Sequence, residues 1–438
     1  AYQIDTHSGI DRSPGFAGSI QLYVGNLVAH PVVLRQVQSG DRRVDIQPDW
    51  IREDGEALIY QEAEPSVVLR GLQGPVPRYI ALHIPATSVG RLFPRDASLA
   101  TNPLQIVTSL VGQDAQVIVD VQQEDASDLA VTDLPIQPSL QQALELHPFL
   151  TLAAQPGFLE LAPGTWTVEG DLVLPNGFGL RATQPVTLAF DRQAILFSTG
   201  PLSLQGSGGG RIRLVPKGVD WGGIVVFQAG SETQSYFRNV DVYSTTGSRW
   251  DGRVTGGIAF HHSSVTFDHC QVLGSTAPSA VQIVRSDFVL VDSEFGYTSA
   301  DAFAADFARG RLERCTFRRI LGNGITVNHS AISAQDVKLL HVYDTGLLAD
   351  TGSEVTARSI YAQDIGMAIV SKDTGYIDVQ DVNIARARMA GIGAYRAKMP
   401  RSRSTICASG VMFQDTPVQV RAQTGSSVNV NGMMADTY

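Results

Sequence analysis

The sequence predicts an all-β chain: a right-handed parallel β-helix with three strands per coil of about 22 residues, preceded by a small N-terminal β-sandwich-like domain. Two observations predict it. From Gly256 onward, apolar residues recur in three columns, each stepping by about 22 residues. Before residue 130, by contrast, short alternating strands are separated by turn-rich stretches and show no such period.

In chain order, the first segment offers strands at Ser19–Val24, Val32–Val37, Tyr79–Ile84, Leu104–Val111 and Gln116–Val121. Turns such as Gln38-Ser39-Gly40-Asp41 divide them, so residues 1–130 read as an antiparallel β domain. Gln122–Pro138 is acidic, carries Pro135 and Pro138, and reads as a linker. Ser139 is a suitable N-cap, and Leu140, Ala143 and Leu144 follow at helical spacing. Residues 131–150 therefore read as linker plus a helix closing the open end of a solenoid, which otherwise exposes its core. The β-helix occupies 151–438. Its first column is Phe260, Ile283, Ala305, Val327, Ala349, Val370 and Ala394, with steps of 23, 22, 22, 22, 21 and 24. A second is Val265, Phe288, Leu312, Ile332, Val355 and Ile377, and a third Val272, Phe295, Phe317, Leu339, Ile360 and Val382.

Composition bounds the function. The 438 residues hold 33 Lys+Arg and 43 Asp+Glu, a net charge of −10, which argues against a nucleic-acid partner. No run of apolar residues is long enough for a membrane span. The chain begins Ala-Tyr-Gln, consistent with an exported protein that is secreted, periplasmic or on the cell surface. Cys270 and Cys315 are two coils apart, roughly 9–10 Å at the inter-strand spacing. That is beyond the reach of a disulfide, about 7 Å between Cα atoms, so they read as buried free thiols.

Strand alternation places His261, Val284, Asp306, Asn328, Asp350, Ser371 and Tyr395 outward after the first column. The turn that follows carries His262, Arg285, Phe307, His329, Thr351, Lys372 and Arg396, with Asp373 and Lys398 close by. This strip is locally basic on an acidic chain and suits an acidic polysaccharide. Lyase or epimerase chemistry at a uronate needs a cation on the carboxylate, a base for the adjacent C–H, and an acid. Arg285 would neutralise, His262 or Lys372 would act as base, and Tyr395 as acid. A lysine flanked by cations has a lowered pKa, as a base requires. His261, Asp306, His329, Asp350, Asp373, Arg396 and Lys398 would bind substrate, with Trp250 in the loop Ser244–Thr255 stacking on a sugar. A hydrolase would need paired carboxylates, and Asp306 and Asp350 stand two coils apart, the outer limit for an inverting pair. No cofactor is expected. Calcium at Asp306 and Asp350 would lack any loop signature. The alternative to an enzyme is a non-catalytic polysaccharide-binding or structural protein, for which a polar solenoid face suffices.

The motifs Gly257-Ile-Ala-Phe-His-His-Ser, Ser299-Ala-Asp-Ala-Phe-Ala-Ala-Asp-Phe, Asn323-Gly-Ile-Thr-Val-Asn-His-Ser, Ile365-Gly-Met-Ala-Ile-Val-Ser-Lys-Asp and Ala394-Tyr-Arg-Ala-Lys carry a resemblance. The stretch Gly256–Phe413 resembles bacterial right-handed β-helix proteins found beside, or fused to, CotH-type kinase domains in cell-surface and exopolysaccharide loci. The resemblance implies the fold and a cell-surface setting, and it implies no defined reaction. Here Ala304 stands where the family usually has an acid, and Asn323 and Thr326 stand where it usually has Asp. If the family uses those acids, this chain is altered in substrate or inactive.

Overall fold

In the computed structural model the described residues are 4–11, 19–26, 30–51, 57–62, 64–70, 79–92, 104–113, 115–123, 135–207, 209–247, 256–396 and 403–437. The chain divides into two compact units, Ala1–Leu134 and Pro135–Tyr438.

All five strands expected in the first unit are present. One sheet runs Gln122–Gln123, Ile4–Asp11, Ser19–Asn26, Tyr79–Ile84. The other runs Ala57–Glu62, Glu64–Leu69, Val32–Ser39, Leu104–Leu110, Gln116–Asp120, with Arg42–Asp45 paired to Val32–Ser39. Ile20, Leu22, Ile80 and Leu82 of the first sheet share one buried core with Val32, Leu34, Val67 and Ile106 of the second. Sequence reasoning missed Ile4–Asp11, whose Asp, Thr, His, Ser and Gly hide any alternation, the strands Arg42–Asp45, Ala57–Glu62 and Glu64–Leu69, and the short helix α1, Ala86–Leu92.

The second unit opens on helix α2, Leu140–Leu146, and the expected cap is there. Ser139 Oγ accepts from the Gln142 amide at 3.3 Å, and Gln142 Oε1 accepts from the Ser139 amide at 2.9 Å, a reciprocal capping box. Ala143 is fully buried, and Leu140 and Leu144 pack against the core of the first coil.

Beyond it lies a right-handed parallel β-helix of about 11 turns. Right-handedness follows from the strand twist that governs every parallel crossover. Three ladders of parallel strands run along it. The first face stacks residues 256–261 on Ser279–Val284, Asp301–Asp306 and Ile325–Asn328. The second stacks 265–268 on Asp287–Val291 and Arg309–Glu313, and the third Gln271–Leu273 on Glu294–Thr298 and Thr316–Ile320. Later strands run straight through the corners, as in Ala331–Ala349, Glu354–Lys372 and Tyr376–Tyr395.

The bends between ladders share one device. Residues at each corner adopt left-handed backbone with φ between 47° and 58°: His262, Arg285, Phe307, His329 and Asp373 after the first face; His269, Asp292, Arg314, Asp336, Ser359 and Asp381 after the second; Tyr297, Arg319, His341, Asp364, Arg386 and Asp415 at the end of the third. Such φ values favour Asn, Asp and His among non-glycine residues. Part of the polar clustering in the sequence is thus a demand of the corner itself.

Register corrects three expected columns. Ala349 pairs with Ser371 rather than Val370, and Ser371 then pairs with Ala394. Ser371 therefore faces inward, where its hydroxyl donates to the Gly375 carbonyl at 2.7 Å. Val370 faces outward into a small cluster with Leu348, Met367 and Ala390. Lys372 accordingly joins the outward row beside Tyr395, and Asp373 takes the corner. In the second column Gly310, not Leu312, stacks on Phe288. A Cβ at Gly310 would lie 2.5 Å from the Phe288 ring, so the ring fills the place a side chain would take. In the third, Leu339 is followed by Ala362 and Ile384, while Ile360 and Val382 extend the column of Val337.

Cys270 and Cys315 are buried free thiols, two coils apart with Ser293 between them. Burial raises their pKa to about 12 and about 11. Among the described residues, no helix is long and apolar enough to cross a membrane.

Candidate functional site

The strip expected after the first face is one continuous column, in which His329, Thr351 and Asp373 are buried while His261, His262, Arg285, Lys372 and Tyr395 are half-buried. His261 stacks on Phe227 with centroids 5.0 Å apart and meets His262 edge-on at 4.8 Å. Burial, then the neighbouring His262 and Arg285, hold its pKa well below the ordinary imidazole value. Arg285 lies over the Phe307 ring at 5.7 Å, and Phe307 stacks on His329 at 4.6 Å. His329 is 8% exposed and Asp373 0%. A polymer cannot reach either of them in this arrangement.

The remaining members are tied locally. Asp306 Oδ1 accepts from Asn328 Nδ2 at 3.3 Å, and Asp350 Oδ1 accepts from the Thr351 amide at 2.8 Å, closing its own turn. The Tyr395 ring lies against Gly393, and its hydroxyl donates to the Met367 sulfur at 3.4 Å, over the Leu348–Val370 cluster. Arg396 donates to the Thr424 carbonyl, and its amide donates to Gln423 Oε1. Lys372 is half-buried next to Tyr395 in the ladder. Trp250 and Lys398 lie outside the described residues.

A different corner gathers complementary groups in reach of solvent. Tyr236 and Arg238 end the strand Gly223–Arg238, and Asp268 ends Gly256–Asp268 in the next coil, with Arg238 and Asp268 in register. Tyr236 donates its phenol proton to Asp268 Oδ2 at 3.1 Å, and Arg238 Nε stands 3.4 Å from the same oxygen. His269, turned outward by its left-handed corner, places Nδ1 2.5 Å from Asp268 Oδ1. An ionised carboxylate only accepts, so Nδ1 carries the hydrogen, and in the neutral imidazole Nε2 is the nitrogen with the lone pair. The His269 side chain is 56% exposed. Burial, with the Asp268 charge and hydrogen bond, raises the Tyr236 pKa and keeps the phenol protonated.

One coil on, Asp292 is held by Arg314 through two bonds of 2.7 and 2.8 Å, which lowers its pKa. Asp268, His269 and Asp292 bring ligand atoms within 4.8 Å of one another, a spacing that suits a metal ion. Their chemistry does not fit a resident cation: Arg314 already spans both Asp292 oxygens, and Tyr236, Arg238 and His269 share those of Asp268. What the corner supplies is an oriented imidazole, a protonated phenol and guanidinium groups, a set for moving a proton beside an anion. Sequence reasoning missed it because the two contributing coils differ in length: Phe237 pairs with Phe267, 30 residues away. The adjacent pair Asp268-His269 was the one visible signal.

No family model matches the chain, and no curated protein matches it. Among solved structures, it is similar to the periplasmic alginate epimerase AlgG, at 8% identity and TM-score 0.35, over 66% of this chain and 82% of that one. It is similar to the catalytic domain of a GH87 α-1,3-glucanase in complex with nigerose, at 10% identity and TM-score 0.34, over 98% and 95%. A third is an alginate lyase from Paenibacillus sp. str. FPU-7, at 11% identity and TM-score 0.25, over 55% and 92%. At this distance the chemistry rests on the residues of this chain alone.

Proposed function

We propose that this protein acts on an acidic, uronate-bearing polysaccharide by proton abstraction, as a lyase or an epimerase. The observation that carries the reading is the Asp268 carboxylate, which holds an imidazole on one oxygen and a phenol and a guanidinium at the other. His269 Nε2 takes the proton beside the uronate carboxylate. Arg238 meets Asp268 through Nε at 3.4 Å and is 54% exposed, so its terminal N–H donors are left to stabilise the charge that develops on the uronate carboxylate, and Tyr236 supplies a proton. In elimination the electron pair forms a ring double bond, the bond to the leaving oxygen breaks, and that oxygen takes the phenol proton. In epimerisation Tyr236 delivers its proton to the opposite face of the same carbon, while His269 keeps the one it removed, and both groups then exchange with water. The motif resemblance to β-helix proteins associated with CotH-type kinase domains supports an exported, cell-surface or exopolysaccharide setting.

The test is a panel of polyuronates followed by ultraviolet absorbance for the unsaturated product and by deuterium uptake from heavy water for epimerisation. His269→Ala is expected to cost about 10²- to 10⁴-fold in rate, while Lys372→Ala, on the strip after the first face, leaves it nearly unchanged. A rate lost in Lys372→Ala and kept in His269→Ala would move the chemistry to the other corner. Silence from every polymer would remove the catalytic reading. The second reading, a non-catalytic polysaccharide binder, is favoured by the burial of Asp373 and His329 in the strip first expected to do chemistry.

A further inference from the structure

At the opposite edge of the third face, the corner ending that ladder carries exposed rings and guanidinium groups on neighbouring coils, Tyr297 at the bend and Tyr343 two residues past it. Tyr297 is 42% exposed and Tyr343 68%. Arg319 Cζ lies 5.3 Å from the Tyr297 ring centroid, and Arg388 Cζ lies 5.3 Å from that of Tyr343. Leu321, in the coil between the two tyrosines, and Met389, next to Arg388, are also exposed.

The manner in which these arginines are held sets them apart. Arg314, Arg386 and Arg318 are bonded to Asp292, Asp364 and Glu294, so their charge is spent on carboxylates. Arg319 and Arg388 join no ion pair among the described residues. Arg388 instead donates to the backbone carbonyls of Tyr343 and Asp364. A ring face or a carbonyl fixes a guanidinium without cancelling its charge, leaving donors for a planar anion. Exposed tyrosine beside it supplies an apolar face with a polar edge.

The spacing selects an extended occupant. Thr298 pairs with Ile320 and Ile320 with Val342, so Tyr297 and Tyr343 stand two coils apart, roughly 9–10 Å along the axis, on the two sides of that column. That is close to the rise of two pyranose residues in an extended chain. We propose that this corner is a polymer-binding track for an acidic polysaccharide, with Tyr297 and Tyr343 stacking on sugar faces and Arg319 and Arg388 pairing with carboxylates on alternate residues. The substrate class rests on the function proposed above; the track itself rests on the uncancelled arginines and their rings.

The experiment is titration calorimetry of the full chain with long polygalacturonate and alginate, at several salt concentrations, with a neutral glucan alongside. The variants are Arg319→Gln with Arg388→Gln, and Tyr297→Ala with Tyr343→Ala, each checked for its far-ultraviolet spectrum. The arginine pair is expected to weaken binding of the long acidic polymers by about tenfold or more and to flatten the salt dependence. The tyrosine pair is expected to weaken binding with the salt dependence kept. Turnover of short oligomers that reach only the Asp268–His269 corner stays as in the parent chain. Unchanged affinity in both variants, with the parent binding these polymers, would overturn the track and leave the proposed reaction standing. No binding of any acidic polymer by the parent chain would sink both, and tighter binding of the neutral glucan would overturn the charge-based choice of occupant.

Discussion

His261 is the residue whose chemistry most departs from expectation. It was a candidate for gripping a substrate, yet it stacks between Phe227 and His262 with Nδ1 cut off from solvent. Its pKa is pushed well below the ordinary imidazole value, so the unfolded chain takes up a proton that the folded chain refuses. Stability is therefore whole above the ordinary imidazole range and declines as the pH falls through it, by at most about 1.4 kcal/mol per pH unit. His261→Phe keeps the stack and removes the titration. Urea unfolding at pH about 7.5 and about 5.5 is expected to show the parent losing stability on acidification and the variant losing less; parallel losses would refute a neutral His261. Tyr395 makes the same point without titration, because its hydroxyl turns to a thioether and away from the row where an acid was expected.

At the scale of the element, the corner is the unit that repeats. A single residue in left-handed backbone turns the chain from one ladder to the next, and the structure uses Asp, His, Arg, Ser, Phe and Tyr there as well as glycine. The energetic cost lies in the backbone, about 1–2 kcal/mol for a residue whose Cβ crowds the next carbonyl. Asp336, an exposed corner residue at φ 53°, isolates the effect. Asp336→Gly should match or exceed the parent in chemical denaturation, whereas Asp336→Val should lose about 1–2 kcal/mol. Equal stability in the two variants would show that the corner imposes no preference. The same device aims His269 and Arg319 outward, so the two proposed functional edges are consequences of how coils bend.

At the scale of the molecule, each coil is buried only by its neighbours, and the ends are where a solenoid is vulnerable. Phenylalanine rings carry the core from coil to coil, with Phe237 on Phe267 at 4.9 Å and Phe295 on Phe317 at 5.2 Å. Helix α2 closes the start of that column. Ser139→Ala removes the capping box and is expected to cost about 1 kcal/mol. Leu140→Lys with Leu144→Lys leaves the first coil uncovered, and light scattering should then report self-association. A monomeric, equally stable double variant would mean that α2 is not a cap.

The sequence by itself determined the β-helix, its coil length, the helix that starts after Ser139 and five strands of the first unit. Each is a local or periodic pattern, and stacking like on like writes a period directly into the chain. Register and exposure were decided only by tertiary structure. Placing Val370 rather than Ser371 inside is a slip of one residue, and one residue exchanges the two faces of a strand. A row of titratable side chains reads the same whether it lies open or is packed under aromatic rings, as His329 is under Phe307. The Tyr236–Asp268 contact spans 32 residues between coils of unequal length. No period predicts such a contact, because only the hydrogen-bonded ladder decides which residue of one coil stands above which residue of the next.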